Sequence, residues 1–248
     1  MMRTANPALR AEVFQRLVFS TANAQQMTVQ GTVNRTFILL GLVLLSSTFI
    51  WLNYAAQNMG LVMGLGITGA LGGFVLSLVT LFKKEWSPIT APVYAVMQGL
   101  FLGGFSALID TQIPGIVIQA VGLTFGVLFC MLGTYSTGLI KVTDNFRLGV
   151  VAATGSVMVI YLIGFVLQIF GFSSFLNGSG LFSIGLSLVV VTIAALNLVL
   201  DFDFIAQGAQ SGAPKYMEWY SAFGLMVTLV WLYIEILRLL MKLNERRS

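Results

Sequence analysis

From residue 36 onward the chain is a series of apolar runs, each about 20 residues long and separated by short polar joints. A hydrocarbon layer about 30 Å thick is crossed by roughly 20 residues of helix, so every run is long enough to span it. Seven spans are predicted, at 36–56, 60–82, 89–109, 116–136, 147–170, 181–205 and 220–243. The expected fold class is an all-α polytopic membrane protein, with one seven-helix transmembrane domain over 36–243. A polar tail over 1–35 precedes it, and a short basic tail over 244–248 follows. Within the first tail, Val13, Phe14, Leu17 and Val18 have helical spacing and predict a short helix lying on the membrane surface, with an unstructured tail as the alternative. The first 26 residues lack the apolar core of a signal peptide, so the first span itself is expected to drive insertion.

The cations between the spans orient the bundle. Lys and Arg fall in the N-terminal tail, at Lys83 and Lys84, at Lys141 and Arg147, and at Lys215. The joints after spans one, three and five carry none. The positive-inside bias therefore predicts a cytoplasmic N-terminus. A seventh full crossing would place Lys242, Arg246 and Arg247 on the other side, so the last span either overrides the bias or re-enters; a full crossing is favoured. Glycines one turn apart (Gly60 and Gly64, Gly69 and Gly73, Gly99 and Gly103, Gly122 and Gly126) predict close helix packing within one bundle. No internal repeat is visible, which leaves a transporter of inverted halves without support.

Composition narrows the function. Of 248 residues 57% are hydrophobic and only 9% charged, against about 25% in a soluble domain. The net charge of +4 lies in joints and tails and forms no basic patch interleaved with aromatics, which argues against nucleic-acid binding. The single cysteine, Cys130, allows no internal disulfide. Histidine is absent, which removes histidine dyads, triads and imidazole metal sites. Ser106 in a GGFSA segment has no histidine to activate it, and no aspartate pair on separate spans suits an intramembrane protease. An enzyme is not expected. A proton switch near neutral pH would have to use buried carboxylates.

Those carboxylates are Asp201 and Asp203 near the end of span six and Glu235 within span seven. An ionised acid at the centre of a membrane helix costs about 2.5–3.5 kcal/mol on insertion, so such groups usually face a bundle interior or a wet path. Asp201 and Asp203 project about 200° apart and cannot share a face. Spacing alone favours Asp201, because Asn197 one turn earlier extends its polar stripe, while Asp203 lies on an apolar stripe that means either lipid exposure or a dry pocket; periodicity does not decide. Glu235 has Arg238 one turn later, so a local ion pair competes with a functional role. Glu218 and Lys215 are expected at the membrane interface, and Gln98 as a hydrogen bond between helices.

The phrases KKEWSPITAPVYA (83–95), NLVLDFDFIAQGAQSGAPKYMEWYSAFGL (197–225) and LVWLYIEILRLL (229–240), with TYSTGLIKVTDNF as weaker support, resemble the Bax inhibitor (transmembrane Bax inhibitor motif) family in its bacterial YccA-like branch. The resemblance covers about 36–243. It implies seven helices with the last one central and six wrapped around it, and a proton-sensitive calcium leak channel gated by two acids. Matched by motif, these are Asp203, in Phe202-Asp203, and Glu235, in Leu232-Tyr233-Ile234-Glu235. Two departures stand out: Glu235 replaces the aspartate of many relatives, and span two lacks the arginine that some relatives place beside the acid pair.

The expected function is a pH-sensitive cation channel, with calcium the ion the resemblance implies. Asp203 and Glu235 would share a proton, and its loss would open the path by repulsion or bind a cation. Asp201, Asn197, Arg238, Gln98 and Glu218 are accessory candidates. The alternatives are a proton-coupled cation exchanger at the same acids and a non-transporting regulator of a membrane quality-control protease, with the 1–35 tail as its handle. No resident cofactor is expected, and a monomer in a bacterial inner membrane is favoured.

Overall fold

The computed structural model describes residues 26–170, 178 and 180–246. The surface helix expected around Val13 to Val18, Arg247, and most of the joint between spans five and six lie outside the described residues. Among the described residues every long element is a helix: α1 Val29–Ala55, α2 Met59–Phe82, α3 Ser87–Asp110, α4 Ile116–Ser136, α5 Asp144–Ile169, α6 Leu181–Gln210 and α7 Met217–Glu245, with one 3-10 turn at Lys84–Trp86. All seven are long and apolar enough to cross a membrane.

The helices match the predicted spans in number and order and run past several of the predicted ends. α1 starts at Val29, seven residues earlier than its apolar run, because Thr28 is an N-cap: its hydroxyl accepts the Gly31 N–H at 2.9 Å. The polar residues Gln30, Asn34 and Arg35, read from sequence as tail, are therefore helical, and the boundary between tail and bundle falls at 28. Thr143 caps α5 in the same way, accepting from the Phe146 N–H at 3.2 Å. Between α3 and α4 the chain turns at Gly115, whose φ of +83° suits glycine and whose N–H donates to Asp110 Oδ1 at 3.0 Å.

α7 is one continuous helix of 29 residues and packs along α1, α3, α4 and α6. Its apolar window is 56% buried, against 17% for α2 and α5. α2 leans on α3 and α1, and α5 packs mainly on α6. Two of the four glycine pairs make the close approaches expected of them. A Cβ on Gly69 would come within 2.7 Å of Phe101 N on α3, and one on Gly103 within 3.0 Å of Ser47 Cα on α1. Gly60, Gly64, Gly122 and Gly126 have open space at that position and play no such part.

Candidate functional site

Three residues of α5 at seven-residue spacing, Arg147, Thr154 and Tyr161, form one polar stripe, because seven residues are nearly two full turns. Each reaches a polar residue of the neighbouring helices. Arg147 Nη2 donates to Asp203 Oδ2 at 2.8 Å, and Gln207 Nε2 donates to the same oxygen at 2.7 Å. Asn197 Nδ2 donates to Thr154 Oγ1 at 2.8 Å and to the Ile193 carbonyl at 2.8 Å. The Tyr161 hydroxyl donates to Glu235 Oε2 at 2.7 Å. Glu235 is only 1% exposed and also receives Arg238 Nη1 at 3.2 and 3.3 Å, while the Arg238 guanidinium stacks 5.1 Å from the centre of the Tyr161 ring.

This geometry does not bring the expected acid pair together. Asp203 and Glu235 are not in contact: their α5 partners are 14 residues apart, about 21 Å along that helix. Asp203 is held at Arg147 near the start of α5, while Glu235 lies deeper, in the local ion pair with Arg238 that the sequence offered as the competing explanation. Charge repulsion between the two carboxylates cannot operate in this arrangement.

Asp201, on the opposite side of α6, is the acid without an ionic partner. Its Oδ2 is buried with no hydrogen-bond partner, and its one polar neighbour is the Thr228 hydroxyl of α7. Two turns along α7 from Thr228, Ser221 Oγ is buried and also unpaired. Asp201 and Ser221 line a cleft of about 380 Å³ walled by α2, α6 and α7. Of the two aspartates, therefore, Asp201 faces α7 and Asp203 faces α5.

Glu218 stands at the edge of the loop, in the first turn of α7, but is enclosed by protein. It is 0% exposed and sits against the backbone of α1 at Gly31. Its Oε1 accepts from the Thr28 N–H at 3.0 Å, the Thr28 hydroxyl at 2.9 Å and Lys215 Nζ at 2.8 Å, and its Oε2 lies 3.1 Å from Arg35 Nε. Arg35 in turn stacks on Trp219 at 5.3 Å. The segment before α1 is fastened to the same place, since Met27 N–H donates to the Ala213 carbonyl at 2.7 Å and Gln26 forms an antiparallel bridge with Pro214. Gln98 lays its amide against Gly73 of α2 and joins none of the acids.

One buried charge escaped the sequence reading. Lys242, 6% exposed near the far end of α7, donates to Ser183 Oγ at 2.7 Å, Ser187 Oγ at 2.8 Å and the Ser183 carbonyl at 3.4 Å. The two serines stand one turn apart on α6, the one signal in the sequence that a shared partner faces them. Because Glu218 and Lys242 lie at opposite ends of the bundle, α7 runs its full length, as a complete crossing requires.

A helical membrane bundle with buried carboxylates on its most enclosed helices is thus the class that fold and site define. The chain matches the model of the Bax inhibitor 1 like family over residues 6–245, and it belongs to that family. No curated protein and no solved structure matches it.

Proposed function

We propose that this protein is a pH-sensitive cation leak channel of a bacterial inner membrane, oriented with its N-terminus in the cytoplasm, and that calcium is the ion it passes. The observation that carries the reading is Asp201: a buried carboxylate oxygen with no partner, on the wall of a cleft within the spanning region. Carboxylates so placed are costly unless they meet a proton or a cation.

Protons would act on the acids separately, not through a shared one. α5 is joined to its neighbours by Arg147 on Asp203, Thr154 on Asn197 and Tyr161 on Glu235. Neutralising Asp203 by substitution would release Arg147, and neutralising Glu235 would remove the charge that Tyr161 and Arg238 share. Breaking these contacts would loosen the helix with the least packing against the rest, and flux past Asp201 is expected to depend on pH. Calcium uptake into liposomes carrying the purified protein, scanned from pH 5 to pH 8, tests this. Asp201→Asn should lower flux at every pH, and Glu235→Gln should flatten the pH profile. Flux that follows an imposed proton gradient would make the protein an exchanger at the same acids; absence of flux at any pH overturns transport altogether.

A second reading, regulation of a membrane protease without transport, has one observation in its favour. Residues 26–28 are fastened to the turn between α6 and α7, so a partner pulling on the preceding tail would act directly on α7. Deleting residues 1–24, which leaves that fastening whole, should abolish co-purification with the protease; retained co-purification would sink the handle.

A further inference from the structure

We propose that the groove between α1 and α4 binds an acyl chain of a membrane phospholipid. Each of these helices packs on α3 and α7, but among the described residues they have no comparable contact with each other. The gap holds a cavity of about 150 Å³, with Ser106 of α3 and Leu229, Val230 and Tyr233 of α7 at its back. Those four side chains are buried. Leu44 of α1 and Val121 of α4, which also line the cavity, are 53% and 37% exposed on helices long and apolar enough to cross a membrane. The cavity therefore opens sideways and is continuous with the surface that the bundle presents to lipid.

The chemistry of the wall selects hydrocarbon. Each of its hydroxyls already bonds within the bundle: Ser47 donates to the Leu44 carbonyl at 3.0 Å, Thr124 to the Ala120 carbonyl at 2.8 Å, and Ser106 and Tyr233 share a bond of 2.7 Å. That leaves little to hold a water, which needs about 2–4 polar partners; an apolar cavity of about this volume stays dry and takes a ligand the size of benzene. Left empty, it would forfeit dispersion contacts along its wall. On α1 the wall runs from Trp51 to Leu40, about 16 Å, close to one leaflet of a hydrocarbon layer about 30 Å thick. Trp51 stands near the end of α1 with Tyr54 edge-on at 5.6 Å, and such rings belong at the membrane–water interface. A lipid anchored at that level lays its chain along Leu44 and Val121 and puts a segment of about six carbons into the cavity. A helix of a second copy, about 10–12 Å across, is too wide to enter.

The inference goes beyond the cation reading and uses none of its acids, so either can fail alone. The full chain is reconstituted in liposomes of phosphatidylcholine that carries a diazirine midway along one acyl chain. After irradiation, the labelled positions are mapped residue by residue by mass spectrometry. Exposed Leu45 and Phe129 should be labelled by ordinary contact with the bilayer and serve as controls. Buried Leu229, Val230 and Tyr233 should be labelled as well, because a chain in the groove touches them. Val121→Trp, which fills the mouth from an exposed position, should remove the label from these three and leave it on Leu45 and Phe129. Label confined to exposed positions in the unaltered protein, which needs no variant to fold, overturns the proposal. So does label on the three α7 residues that survives Val121→Trp. Dimers in size exclusion that Val121→Trp disperses, with the three residues unlabelled, also overturn it and give the groove to a second copy.

Discussion

Gly31→Ala should destabilise the protein through a single methyl group. A Cβ at position 31 would overlap the Glu218 carboxylate, so the acid must leave its place against α1. Leaving breaks its bonds from the Thr28 N–H at 3.0 Å and the Thr28 hydroxyl at 2.9 Å. Arg35 and Lys215 are partly exposed and can follow the acid or be solvated, so only the two Thr28 bonds are counted as lost. Bonds to a charged group contribute about 1.5–3 kcal/mol each, and alanine returns about 0.5–1 kcal/mol over glycine within a helix. With partial relaxation of α1, the net loss should be about 2–4 kcal/mol, or a fall of about 4–16 °C in Tm for a chain of this size. Melting followed by tryptophan emission in nanodiscs measures it, with Trp219 beside the altered site. The decisive comparison is in a Glu218→Ala background, where there is nothing to collide with: there Gly31→Ala should raise Tm slightly. The reasoning is refuted if Gly31→Ala melts at or above the unaltered protein, or if it costs as much with Glu218 removed.

Other changes follow the same geometry. Tyr161→Phe removes the hydroxyl donor to Glu235 and should cost about 1.5–3 kcal/mol, seen as a lower Tm; an unchanged Tm would mean that Arg238 alone holds the acid. Lys242→Met keeps the apolar stem, removes a buried ammonium that has no carboxylate in contact, and should change stability by less than about 1 kcal/mol, since replacing a buried charge by an apolar side chain is often neutral or stabilising. A large loss of Tm would show that Ser183 and Ser187 depend on the amine. Gly103→Leu should disrupt the α1–α3 contact and lower expression of folded protein, since even a Cβ there meets Ser47 and Ile50 of α1; Gly122→Leu, facing open space, should be tolerated. Size-exclusion profiles of the two variants side by side check this.

The sequence made the spans legible because crossing a bilayer demands a length of apolar residues that soluble helices rarely show. It also made the Glu235–Arg238 pair legible, since three residues along one helix is a local distance. What stayed hidden was the rotation of each helix against its neighbours. α6 is apolar around most of its circumference; the spacing of Asn197 and Asp201 is a weak local signal for Asp201, whereas the motif match points to Asp203, which turns to α5. Arg147, Thr154 and Tyr161 stand at a visible spacing, yet the stripe acquires meaning only once α6 presents Asn197 and Asp203 to it. The position of Glu218 at the loop edge is legible, but its enclosure is not, because its deciding partner, Thr28, is 190 residues away.

The three buried charges of α7 have a common logic that the spans alone do not reveal. Glu218 is tied to α1 through Thr28 and Arg35, Glu235 to α5 through Tyr161, and Lys242 to α6 through Ser183 and Ser187. Lipid gives helices no hydrophobic reason to associate, so position and rotation must come from close packing and polar contacts. One buried charge per neighbour, spaced along one helix, fixes α7 against three partners that a purely apolar surface would let slide. The same arrangement lessens the conflict over the last span. The positive-inside bias counts cations in short exposed joints. Lys242 is enclosed by α6, so it does not belong in that count, and the case against a full crossing shrinks to the arginines that follow it. Asp201 is then the exception along this part of the bundle: a carboxylate on α6 with no ionic partner and one buried oxygen left unpaired, as expected of a group whose counterpart comes from outside the chain.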